Sequence, residues 1–109
     1  LKQLNLDKTL DKKTILSQYV FYLKTNYNSQ FQDFEVKNEV YTAGNLPKIT
    51  LEFNLKINFI KYYYQVVVFE NNGVYYEIYF WTLNDFVPQN KKEIEKSIQS
   101  IKLHKKTNK

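Results

Sequence analysis

Catalysis and metal binding need convergent polar groups, and this 109-residue chain supplies few. His104 is its only histidine and lies among lysines, with no carboxylate pair beside it to make a base or a ligand set. The sequence contains no cysteine, which excludes disulfides, thiolate metal sites and cysteine nucleophiles. Glu35, Glu39, Glu52, Glu70, Glu77, Asp85, Glu93 and Glu95 are scattered, without the spacing of a calcium loop or a glycosidase pair. Ser17, Ser29, Ser97 and Ser100 stand in no Gly-Xaa-Ser-Xaa-Gly setting, and two glycines cannot build a phosphate-cradling loop. The expectation is a non-catalytic chain with no catalytic residue, no metal and no cofactor.

Aromatic side chains offer a different chemistry: the chain has ten Tyr, eight Phe and one Trp. Tyr and Trp combine an apolar ring with a polar tip and are enriched where proteins meet partners. Along residues 74–82, Val74, Tyr76, Ile78 and Phe80 alternate with Tyr75, Glu77, Tyr79 and Trp81. If the first set faces the helices, the second forms an outer face, with Tyr63 joining from the neighbouring strand beside Thr50, Glu52 and Asn54. Tyr63, Tyr75, Tyr79 and Trp81 are therefore the expected protein-binding residues, and ordinary cross-strand packing or burial under another segment is the alternative.

Charge gives a second candidate surface. The formal net charge is +5, every basic residue is lysine, and Lys102, Lys105, Lys106 and Lys109 crowd the end of the chain. These four are the expected anion contacts, in a reading where the chain is a subunit of a larger assembly whose tail touches nucleic acid or anionic lipid. The absence of arginine disfavours base readout and bidentate phosphate clamps, so nucleic acid is the weaker partner expectation. An A/T-rich coding sequence would itself favour Lys, Asn, Ile, Tyr and Phe whatever the function.

The elements that must position these residues can be read from periodicity. Asp11 precedes Ile15, Leu16, Tyr19, Val20 and Leu23 at helical spacing, which predicts a helix over 12–27 that Asn26, Asn28 and Ser29 help to end. Residues 34–41 read as a strand closed by Ala43-Gly44-Asn45 and Pro47. Ile49, Leu51, Phe53, Leu55, Ile57 and Phe59 then alternate with polar residues, the mark of a strand with one dry and one wet face. The phase breaks near Ile60 and Lys61, where a bend is expected. Asn71-Asn72-Gly73 predicts a tight hairpin between strands 62–70 and 74–82. Asn90, three residues before Glu93, looks like the cap of a helix over 91–103 carrying Ile94, Ile98 and Ile101 on one side. The sum is one α+β domain over 1–109, with a core over 10–103 and a basic tail at 104–109. Its expected architecture is an antiparallel meander of about four strands packed against an N-terminal and a C-terminal helix.

From Leu10 to about Leu103 this pattern resembles the PsbP/Mog1-like fold, including the DcrB-type small lipoproteins. The residues that carry the resemblance are the turn Thr-Ala-Gly-Asn-Leu-Pro at 42–47, the hairpin from Tyr64 to Phe80, the aromatic loop at Phe86 and the closing Ile-Glu-Lys-Ser-Ile-Gln-Ser-Ile-Lys. The family's opening strands with their Pro and Trp pair are missing, and Ile101 stands where the family closes on Phe, which implies a version shortened at the N-terminus. A cystatin/NTF2-like sheet wrapped on one helix has a similar order, and the second terminal helix favours the former. The resemblance implies a non-enzymatic module, since members act as photosystem extrinsic subunits, small-GTPase partners, secretion-effector chaperones or envelope lipoproteins. It further implies an extracytoplasmic protein, secreted or held to a membrane by an anchor before Leu1. A first residue other than methionine fits a mature or trimmed chain.

Overall fold

The computed structural model describes residues 11–101. Helix α1 spans Lys12–Gln30, and Asp11 caps it by accepting the Thr14 N–H at 2.8 Å, which satisfies one of the free donors of the first turn. It runs three residues beyond the expected end. Asn26, Asn28 and Ser29 are helical, and the Ser29 hydroxyl bonds back to the Asn26 carbonyl at 2.9 Å. At Phe31 the backbone becomes extended, and the strands follow directly.

Strands β1 (Gln32–Thr42), β2 (Lys48–Ile57), β3 (Ile60–Asn71) and β4 (Val74–Leu83) form one antiparallel sheet in the order β1-β2-β3-β4. A 3-10 turn at Asn84–Phe86 leads into helix α2, Val87–Gln99. The domain is thus an α+β meander of four strands with a helix at each end. Two of its joints differ from the expectations. Phe59 does not extend β2: Asn58 and Phe59 form a two-residue turn with φ of 52° and 68°, so β3 starts at once at Ile60. Asn90 does not cap α2. The helix begins four residues after Leu83 with Pro88 in its first turn, where a missing N–H costs nothing, and the Asn90 amide instead donates to Thr82 Oγ1 at 2.9 Å.

The two helices lie on opposite faces of the sheet. Leu16, Val20 and Leu23 of α1 pack on Ile49, Leu51, Phe53, Leu55, Val66 and Val68, whereas Ile94 and Ile98 of α2 pack on Tyr63, Val67 and Phe69. Because neighbouring residues of β3 point to opposite sides, the two clusters form separate layers. Burial of each large aliphatic side chain contributes roughly 1.5–3 kcal/mol, so α1 is held mainly by its three-residue stripe. β3 is buried on both faces, and the sheet has no bare outer face of the kind the sequence suggested.

Candidate functional site

The expected aromatic group is divided between the two layers. Tyr63 is 2% exposed and lies under α2; its hydroxyl donates to Glu52 Oε2 at 2.6 Å and accepts from Gln65 Nε2 at 2.6 Å. Lys91 of α2 approaches the same Glu52 oxygen at 3.2 Å. Burial, and then the bond to Glu52, push the Tyr63 phenol well above its ordinary range, which keeps it protonated as a fixed donor. Tyr63 is therefore part of the packing between sheet and α2, and cannot share a surface with Tyr79 and Trp81. Glu52 and Asn54 belong to this layer too: Asn54 is buried, and they do not sit on an open wet face beside the other aromatics.

Tyr75, Tyr79 and Trp81 do share a face, but it is the face that carries α1. Tyr75 stacks on Tyr19 at 4.3 Å and is half-buried. Beyond it, towards the C-terminal end of α1, the helix leaves part of the sheet uncovered. Phe53 and Tyr64 stack at 5.2 Å with rings 6° apart, and Tyr27 of α1 stacks on Phe53 at 5.1 Å. Tyr79 meets Tyr64 edge-on at 6.4 Å, and Trp81 meets Tyr62 edge-on at 5.7 Å. Trp81 remains 59% exposed.

Hydroxyl bonds fix the rim. Tyr79 donates to Glu77 Oε1 at 2.7 Å, and Tyr19 donates to the other Glu77 oxygen. Having given its proton to Glu77, Tyr79 accepts from Tyr27, so the order is Tyr27 to Tyr79 to Glu77, with Tyr19 arriving from the other side. The bond to Glu77, then burial, pushes the Tyr19 phenol up to about 12. Burial, followed by the bonds to Tyr27 and Glu77, pushes Tyr79 up further still, and burial raises Tyr27. All three stay protonated near neutrality, and Glu77 serves as the shared acceptor of Tyr79 and Tyr19. The carboxylate is thus already committed to holding the rim.

Two hollows open at this end of α1. One, of about 280 Å³, is lined by Tyr27, Gln30, Phe31, Phe53, Leu55, Tyr64 and Tyr79. The other, of about 350 Å³, is lined by Gln30, Phe31, Gln32, Lys56, Ile57, Asn58 and Phe59. They share Gln30 and Phe31 where α1 ends; the first is lined mostly by apolar side chains, whereas the second mixes Phe31, Ile57 and Phe59 with Gln30, Gln32, Lys56 and Asn58. Phe59 borders the second in an unusual state: 88% exposed, with a backbone φ of 68° that an L side chain adopts only at a cost. A larger hollow by Lys13, Thr14, Ser17, Gln18 and Phe21 is lined by α1 alone and lacks an opposing wall.

The geometry provides ring faces, ring edges and a few oriented hydroxyls, the means to recognise an apolar group with a polar fringe. Among the described residues, no cluster of His, Asp and Glu could hold a metal ion, and no helix is long and apolar enough to cross a membrane. His104 and the expected anion contacts Lys102, Lys105, Lys106 and Lys109 lie outside the described residues. Sequence reading passed over Tyr27, Tyr62, Tyr64 and Phe59 as members of the site. The available signal was the α1 stripe, where Tyr19, Leu23 and Tyr27 recur at four-residue spacing: a stripe that ends in tyrosine marks the boundary between core and water.

No family model matches this sequence, and no curated protein matches it. In three dimensions the chain is similar to the crystal structure of the Pseudomonas aeruginosa protein PA94, a protein of unknown function described as a candidate regulator. The TM-score is 0.74 at 12% sequence identity, over 82% of this chain and 62% of that one. The chain therefore spans less than two thirds of that neighbour's length, and the likeness is one of fold.

Proposed function

We propose that this chain is a non-catalytic binding domain of PsbP/Mog1-like type that holds a protein segment on the aromatic surface at the C-terminal end of α1. The observation that carries the reading is that two large aromatic side chains stand in solvent near the end of α1: Trp81, edge-on to Tyr62 beside the aromatic cluster, and Phe59, on a strained backbone beside the second hollow. Exposed aromatics of this kind cost solubility, and a strained backbone at a hairpin tip costs stability. Both are typical of surfaces kept for binding. The hollow of about 280 Å³ lies just below the usual range for small-molecule pockets, and it suits one large apolar side chain of a partner better than a cofactor. The order of helix, four-stranded meander and helix is compatible with that type. A location outside the cytoplasm belongs to the same proposal and is checked by fractionating cells that express the full-length protein.

The test is affinity capture from host lysate at moderate salt with the wild type and the Trp81→Ala/Tyr79→Ala variant side by side. A partner held by the wild type and lost by the variant supports the aromatic surface. A partner held equally by both, but lost when residues 102–109 are deleted or when salt is raised, overturns it in favour of the lysine tail.

A further inference from the structure

Asn72-Gly73 is the one Asn-Gly pair in the chain, and such a pair carries its own chemistry. The glycine nitrogen can attack the asparagine side-chain Cγ and close a five-membered ring, because glycine has no side chain to obstruct the approach. Here the pair forms the tip of the β3–β4 hairpin, with Asn72 exposed and open space around Gly73. Positive φ at both residues, 54° and 81°, makes the turn type I′.

That turn is not the reactive one. Ring closure brings the Gly73 nitrogen and the Asn72 Cβ to the same side of the Cα–C bond, which for an L residue means the ψ of about −120° that the first central residue of a type II′ turn adopts. In type I′ the corresponding ψ is about +30°. The φ of Asn72 suits both, so a flip of the single peptide between Asn72 and Gly73 converts one turn into the other, and glycine follows because it accepts either sign of φ. Both turns close a two-residue hairpin, so the strands need not part. A hydrogen bond opposes the flip: the Gly73 N–H donates to Glu70 Oε2 at 2.6 Å, and the flip would turn it away. The other Glu70 oxygen accepts from Lys12, the first residue of α1.

We propose that Asn72 is a site of spontaneous deamidation, and that a lock running from Lys12 through Glu70 to the Gly73 N–H sets its rate. Once the peptide flips, solvent base removes the Gly73 amide proton, the nitrogen bonds to Asn72 Cγ, and the Cγ–Nδ2 bond breaks as ammonia leaves. Water then opens the succinimide at either carbonyl and leaves an aspartate or an isoaspartate at position 72. Both products add a negative charge beside Glu70. The isoaspartate also adds a carbon to the main chain of a turn whose flanking residues, Asn71 and Val74, are paired in fixed register, so the start of β4 must shift to accommodate it.

The test follows residue 72 by peptide mass mapping of the full 109-residue chain held at mildly alkaline pH, which reads the change of amide to acid and separates the two acid isomers. The expected result is slow conversion in the wild type and conversion about tenfold faster in Glu70→Ala, the factor that a charge-assisted hydrogen bond of ordinary strength supplies. Lys12→Ala should fall between them, because its Glu70 carboxylate remains but is no longer anchored. In denaturant the three chains should convert at one rate. Amide protection of Val66 and Val68, both fully buried, is measured in parallel to show that the fold is intact. Three results would overturn the proposal: a folded rate for either variant equal to that of the wild type, acceleration that appears only where the core amides lose protection, or an Asn72 that stays intact in every folded chain over the time in which the denatured chain is converted.

Discussion

Replacing Phe59 by glycine should make this protein more stable. Phe59 and Gly73 occupy corresponding positions of two-residue turns with nearly the same backbone: Asn58 and Phe59 have φ of 52° and 68°, Asn72 and Gly73 have 54° and 81°. Only the second turn has the residue type that this backbone favours. An L side chain in the left-handed region costs roughly 1–2 kcal/mol. Glycine would remove that strain but lose about 0.5–1 kcal/mol more chain entropy on folding. Phe59 is 88% exposed, so little burial is lost with the ring. The net gain is about 0.5–1 kcal/mol, which for a domain of this size raises Tm by roughly 2–8 °C. Thermal melts and denaturant titrations of Phe59→Gly and the wild type measure it, and an unchanged m value would show that the comparison is sound. A Tm equal to or below that of the wild type would refute the reasoning, because it would mean that the exposed ring is held by contacts worth as much as the strain. If Phe59 belongs to a binding surface, the same variant should bind its partner less well while being more stable.

Three further outcomes follow from the hydrogen-bonded tyrosines and the ion pair of α1. Tyr63→Phe takes from Gln65 its acceptor and from Glu52 the phenol donor, each at 2.6 Å, leaving Glu52 only Lys91, and should cost about 1–3 kcal/mol, read as a lower denaturant midpoint. The Tyr19 phenol titrates at about 12 when folded and near 10 when unfolded, so the stability it contributes is complete below pH 10 and is lost as pH rises towards 12. Glu77→Gln should bring the Tyr19 titration, followed by tyrosinate absorbance, back towards the ordinary value. Glu70 is held below its usual range by the Lys12 ammonium and then by the Gly73 N–H, so its contribution is present above the unfolded carboxylate value and fades as pH falls through the folded one. Acid titrations of wild type and Glu70→Gln should converge at low pH. Because the pair is partly open to water, their difference at neutral pH should stay within about 1 kcal/mol.

The parts of the fold that were legible in the sequence are those where one rule acts alone. The alternation of β2, the Asn-Gly turn after Asn71 and the Leu16, Val20 and Leu23 stripe each follow from a single periodicity or a single backbone requirement. The Asn58-Phe59 turn was hidden because phenylalanine has no tendency towards positive φ, and tertiary pairing of Ile57 with Ile60 imposes it. Pro88 marks the start of α2, but Asn90 imitates a cap and shifts the apparent boundary. The side taken by each helix could have been inferred from β3, whose run from Tyr62 to Phe69 is apolar at nearly every position and so must be covered twice. Treating Tyr63 as a surface residue ignored that run. The rest of the site escaped because it is assembled from α1, β2, β3 and β4 at positions that share no local spacing: Tyr27, Phe53, Tyr64 and Tyr79 meet only once the helix is laid on the sheet.

Trp81 is the sole tryptophan, so fluorescence excited at the long-wavelength edge, where the ten tyrosines absorb little, reports on the proposed surface. The decisive measurement is its emission and its accessibility to a neutral quencher, with and without the partner recovered by affinity capture. Binding at the aromatic surface predicts a shift to shorter wavelength and a loss of quenching when the partner is added. An unchanged spectrum and undiminished quenching, at concentrations where the complex is demonstrably formed, would contradict it.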